Sequence, residues 1–192
     1  HWDVTAYLES CLQEDYRLAF AADGQQGVQQ AREQIPDLII SDVLMPQKDG
    51  YVLTNELKND FLTSHIPIIL LTAKADQDSR MEGLEKGADA YLTKPFRRDE
   101  LLLRIKKLIE LRKRLQQRYR DFRPAEAGKD GANAMEDAFL QKINAALAAN
   151  LSDENFGISE LCRSVGISRT QLHRKLKALT GKSTSHYIRS YR

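Results

Sequence analysis

At 192 residues the chain can form one large domain or two small ones. Its 29 Lys and Arg nearly balance 27 Asp and Glu, so net charge alone gives no reason to invoke nucleic acid or an anionic surface. No run approaches the roughly 20 apolar residues of a membrane span, and no secretory leader is present. This stretch therefore reads as soluble and cytoplasmic, and its opening His1-Trp2 is compatible with an inner-membrane anchor upstream. Cys11 and Cys162 lack partners at metal-ligand spacing and read as reduced, part-buried thiols.

The elements alternate along the first half. Val4 to Leu12 is an amphipathic helix, and Tyr16 to Ala21 alternates in the manner of an edge strand. A helix over Gly27 to Gln34 leads to the apolar run Asp37 to Ser41. Helical Val52 to Leu57 leads to the strand Ile66 to Leu71, and helical Ser79 to Lys86 to a weaker strand over Ala88 to Leu92. Continuous apolar strands between helices predict a parallel sheet covered on both faces. Glu100 to Tyr119, free of Pro and Gly, reads as one helix with Leu101, Ile105, Leu108, Leu111 and Leu115 on a single seam. Its basic stretch Arg112-Lys113-Arg114 is expected to project away from the sheet.

Arg123 to Ala134 has linker composition. The expected division is residues 1–115, a helix extension and flexible linker over 116–134, and an all-helical unit over 135–192. That unit holds helices at Met135 to Asn150, Ser159 to Ser164 and Arg169 to Leu179, with another starting at Ser183. From Ile158 onward eight basic residues face one acid, Glu160, which points to an anionic partner.

Chemistry in an open parallel sheet gathers beyond the carboxyl ends of its strands. Asp42, Thr72 and Lys94 each follow an apolar run at that position. Together they offer a carboxylate nucleophile, a hydroxyl donor and a compact positive charge, a set suited to a phosphoryl group. A cis peptide before Pro95 would help aim Lys94 inward.

Asp42-Val43-Leu44-Met45-Pro46 with Gly50, then Leu71-Thr72-Ala73, then Lys94-Pro95-Phe96, resembles the receiver domain of two-component response regulators. The resemblance implies a flavodoxin-like doubly wound sheet, with Asp42 as phosphoacceptor and Thr72 and Lys94 sensing the phosphoryl group. It implies Tyr91 as a switch aromatic, a histidine kinase as phosphodonor, and Mg2+ held by Asp42 and the Leu44 carbonyl. Receivers begin with a strand ending in two acids that complete the metal site. This sequence starts just past that position, so the first strand and the acidic pair are missing from it. Either they lie upstream or the receiver is degenerate. A single carboxylate should bind Mg2+ poorly.

Toward the C-terminus, Gly166 stops one helix in the left-handed conformation. Ser168 with Gln171 forms a capping box opening the next, and Ile167 is its staple. Leu172, Leu176 and Leu179 share an apolar stripe, while Thr170, His173, Arg174 and Lys177 lie opposite. Lys175 and Lys182 read as solubility charges. The motifs Ile158-Ser159-Glu160-Leu161, Val165-Gly166-Ile167-Ser168, Leu172-His173-Arg174-Lys175-Leu176 and Leu179-Thr180-Gly181 resemble the first half of an AraC-type helix-turn-helix domain. The second helix-turn-helix of that family is absent from this sequence. The resemblance implies double-stranded DNA as partner, Thr170, His173 and Arg174 at base edges, and Arg169 and Lys177 on phosphates.

The expected whole is a phosphorylation-dependent transcriptional regulator resembling the C-terminal part of hybrid sensor proteins. It would pair as a homodimer along Leu108, Leu111 and Leu115 when active, and would be no enzyme beyond self-catalysed phosphoryl transfer to Asp42. The alternative is a phosphoryl sink or relay whose helical module binds protein.

Overall fold

The computed structural model describes residues 2–73, 87–120, 133–153 and 155–191. The helix expected over Ser79 to Lys86 and most of the expected linker lie outside them. Helices α1 (Trp2–Leu12) and α2 (Gly24–Gln34) precede strand β1 (Ile39–Asp42). Then follow α3 (Gly50–Lys58), β2 (Ile68–Ala73), β3 (Ala90–Lys94) and the long α4 (Arg98–Arg120). The C-terminal helices are α5 (Ala134–Ala149), α6 (Ile158–Val165), α7 (Arg169–Thr180) and α8 (Thr184–Tyr191).

Among the described residues the sheet is parallel, in the order β1-β2-β3. Asp42 pairs in register with Leu71, and Thr72 with Thr93. Alternate side chains of a strand enter opposite faces. Ile68 and Leu70 join Val28, Ala31, Leu53 and Leu57 on the α2/α3 side, while Ile69 and Leu71 join Leu12, Leu101 and Ile105 on the α1/α4 side. The sheet is therefore covered on both faces, as the continuous apolar strands require.

Short-range signals set the helix ends. Asp23 and Asp49 accept from Gln26 N at 2.8 Å and Val52 N at 2.7 Å, capping α2 and α3. Ser168 and Gln171 form the reciprocal box that opens α7, and Gly166 (φ 77°) ends α6.

Tyr16 to Ala21, expected as an edge strand, is not one. In a flavodoxin-like order of 2-1-3-4-5 a strand at this place pairs with one preceding α1, and the described residues hold no strand there. Without backbone partners the alternation is left with no ladder to join, and Tyr16 and Phe20 stay exposed.

The largest departure concerns the seam of α4. Leu108 is buried against the sheet, whereas Leu115 and Tyr119 enter the core of the C-terminal helices with Phe139, Ile143, Leu161, Leu172 and Leu176. Leu111 alone of the last three seam residues is exposed. The expected dimer seam is thus largely consumed within one chain. Arg112 does not project away either. Its guanidinium turns toward the amino end of β1, donating to Asp37 O at 2.6 Å and pairing with the Asp37 carboxylate at 2.9 Å.

Candidate functional site

Parallel pairing brings the carboxyl ends of β1, β2 and β3 together, and with them Asp42, Thr72 and Lys94. Lys94 Nζ lies 2.5 Å from Asp42 Oδ2, and the Leu44 amide donates to Asp42 Oδ1 at 3.3 Å. Thr72 is buried one step beyond Leu71, the register partner of Asp42. Gly50 belongs to this site for a backbone reason: a Cβ there would collide with the Asp42 carbonyl oxygen. Its amide donates to Val43 O at 2.9 Å, pressing the start of α3 against the strand end. The Lys94–Pro95 peptide is cis.

Tyr91 points into the α2/α3 core, and its buried hydroxyl has no hydrogen-bond partner among the described residues. Burial, then the neighbouring Tyr51 and Asp89, push its pKa up to about 12. A carboxylate nucleophile with an ammonium on one oxygen and an amide on the other can take a phosphoryl group while the lysine neutralises developing charge.

A family model, the response regulator receiver domain, matches residues 1–106. The chain belongs to that family. Along its whole length it is 33% identical to histidine kinase P4 of Formosa agariphila, of which it spans only 14%. It is 42% identical over 108 residues to response regulator PleD of Caulobacter vibrioides, matching 53% of this chain and 24% of that one. The curated relatives are thus far longer than the stretch they share with it. Among solved structures, the receiver domain of sensor histidine kinase PA1611 from Pseudomonas aeruginosa superposes with a TM-score of 0.54 at 36% identity, covering 57% of this chain and 91% of that one. That receiver holds a magnesium ion in its active-site cleft.

Mg2+ prefers octahedral oxygen ligation. Among the described residues no group of three His, Cys, Asp or Glu side chains could hold a metal, and Asp42 is already bonded to Lys94. The described residues do not make a Mg2+ site by themselves. Among them, no helix is long and apolar enough to cross a membrane.

The C-terminal residues singled out from sequence occupy one side of α7: Arg169, Thr170, His173, Arg174 and Lys177 are all exposed. Lys175, expected as a solubility charge, is instead fully buried. Its ammonium lies over the rings of Phe139 (4.9 Å) and Phe61 (5.4 Å), bonds the Phe61 carbonyl, and reaches Ser64 Oγ at 3.5 Å. Ser64 in turn donates to Glu136 Oε1 at 2.6 Å. Burial lowers the lysine pKa to about 8, against the opposing pull of Glu136 and Asp60. Gln116 adds a bond to Ala178 O at 2.7 Å. None of Phe61, Ser64 and Gln116 was marked by motif or periodicity. Lys175 did carry a signal, since at about 100° per residue it falls within about 60° of both Leu172 and Leu179.

His65 sits beneath this junction with neither ring nitrogen bonded among the described residues. Burial, then Lys175, Arg112 and Lys58, hold its pKa well below 6.5. It stays neutral in the fold while the unfolded chain protonates below 6.5, so the unfolded state binds more protons there and stability is lost as the pH is lowered. Relative to His65→Gln, the wild type is expected to lose up to about 1.4 kcal/mol per pH unit below pH 6.5. Urea denaturation at pH 7.5 and 5.5 measures it; parallel losses in both proteins would contradict the assignment.

Proposed function

We propose that the chain is a phosphorylation-controlled DNA-binding regulator, with Asp42 as phosphoacceptor and α7 as the DNA-reading helix of an AraC-type helix-turn-helix. The observation that carries it is the Asp42–Lys94 ion pair at the strand ends, with Thr72 one register step away. An Asp42 oxygen attacks the phosphorus of a kinase phosphohistidine. The P–N bond breaks with its electrons returning to imidazole, and an acyl phosphate forms. Lys94 shifts from the carboxylate to a phosphoryl oxygen, Thr72 donates to another, and Tyr91 serves as the packing-state reporter. Mg2+ binding by Asp42 and the Leu44 carbonyl needs further acidic ligands from outside this sequence.

The DNA half of the proposal is supported by the basic exposed face of α7 and by the Gly166 turn with its Ser168–Gln171 box. His173 and Arg174 would read base edges with Thr170, while Arg169 and Lys177 neutralise phosphates. Two copies would place two reading helices at adjacent half-sites. Since Leu108 and Leu115 are covered within the chain, that pairing draws on other surfaces.

Fluorescence anisotropy with a labelled duplex at several salt concentrations tests this reading. Affinity is expected to fall steeply with salt, and Lys177→Ala to reduce the log–log slope by about 1. Salt-independent or absent binding, with or without phosphodonor treatment, would instead favour a phosphoryl sink whose helices bind protein.

A further inference from the structure

Helix α4 carries a straight basic row. Lys106, Lys113 and Arg120 follow one another at intervals of seven residues, all are exposed, and none is ion-paired among the described residues. Seven residues make nearly two helical turns, so the three stack on one side of α4 with about 10 Å between neighbours. The one acid along this stretch, Glu110, lies about 50° off the row at about 100° per residue. A face that only keeps the chain soluble has no need of such alignment.

The row runs beside α7. Gln116, one turn from both Lys113 and Arg120, donates to Ala178 O at 2.7 Å and to Lys177 O at 3.3 Å. On α4 this contact separates the core residues Leu115 and Tyr119 from the row, which begins about 40° to the other side of Gln116. On α7, Ala178 likewise separates the core residues Leu172, Leu176 and Leu179 from the exposed Thr170, Arg174 and Lys177. The row and the exposed face of α7 therefore lie on the same side of the helix pair, away from the core.

We infer that the Lys106, Lys113 and Arg120 row of α4 is a phosphate-contacting surface, engaging the DNA strand that borders the groove entered by α7. The inference rests on the DNA-reading proposal for α7. Packed helices lie about 8–10 Å apart, axis to axis, and the major groove is about 12 Å wide. With α7 in the groove, α4 lies past its edge, over the phosphate backbone. B-DNA presents a phosphate on each strand about every 3.4 Å of its axis, so each cation of the row has one within reach of its flexible side chain. Contacts of this kind set affinity and register and carry no sequence information. The long helix of the α/β unit thus adds a sequence-independent grip to the reading done by α7.

The test uses the whole 192-residue chain and labelled duplexes of two unrelated sequences, each about two helical turns long, titrated at several salt concentrations. Lys113→Gln combined with Arg120→Gln is expected to lower the log–log salt slope by about 2 and to weaken binding to both duplexes by the same factor. Lys107 and Arg114 are exposed as well, about 120° round α4 from the row. Lys107→Gln combined with Arg114→Gln removes the same charge and is expected to change the slope by less than about 1. An unchanged slope in the first variant, or equal losses in the two, overturns the inference while DNA reading stands, because the row is then plain solvated charge. Vesicles of phosphatidylglycerol and phosphatidylcholine supply the other anionic surface. If the first variant keeps its duplex affinity and loses sedimentation with these vesicles, the row belongs to a membrane contact and the inference fails. Absence of salt-dependent duplex binding by the wild type overturns the DNA reading and the inference with it.

Discussion

Asp42→Asn is expected to abolish acyl-phosphate formation altogether. The amide has no anionic oxygen to attack phosphorus, and removing the carboxylate also removes the partner that holds Lys94 at 2.5 Å. The measurement is intact-mass spectrometry after treatment with acetyl phosphate and Mg2+, on the chain extended upstream to carry the strand and acidic pair that receivers possess. The wild type should gain a phosphoryl group that is lost at alkaline pH, and the variant none. Lys94→Met should still react, slowed on the order of 10²-fold, as expected for loss of one charge-stabilising donor. Phosphorylation persisting in Asp42→Asn would move the acceptor elsewhere. An unphosphorylated wild type with its acidic pair intact would identify a degenerate receiver, leaving DNA binding without its phospho-switch.

Phe139→Ala is expected to lower the unfolding free energy by about 3–5 kcal/mol, the range for deleting a fully buried aromatic ring. Phe139 is completely buried on α5, and its ring lies 5.3 Å from that of Phe61, which belongs to the α/β unit. It also forms one wall around the Lys175 ammonium, 4.9 Å from the ring centroid. The cavity would therefore open between the two halves of the chain, not inside one of them. Hydrogen exchange should report the loss in peptides of β2 as well as of α5. Two halves tethered only by a flexible linker would show it in α5 alone, and that outcome would contradict the shared core.

The same comparison explains what could be read along the chain. Asp42, Thr72, Lys94 and Gly50 were legible because each sits at the end of a strand or the start of a helix, where residue type answers to backbone geometry only a few positions away. The caps of α7 and the Gly166 turn were legible for the same reason. Tyr16 to Ala21 misled because alternation describes one strand, whereas a ladder requires a neighbour, and the described residues offer it none. The α4 seam misled in a related way. Leucines repeating every three or four residues reveal that a face is apolar but not what covers it, and here one seam is divided between two cores.

By itself, then, the sequence determined most of the alternating elements, the caps around Gly166 and Ser168, the strand-end triad and the basic face of α7, all of which depend on periodicity and on contacts within a turn or two. Only the tertiary structure decided that Lys175 is interior, that Arg112 turns to Asp37, and that Arg174 is held by α2. A lysine in a sequence reads as solvated because burying a charge is costly unless partners meet it. Those partners, the Phe61 carbonyl, Ser64 and two phenylalanine rings, come from segments far away in the chain and converge only when the fold closes.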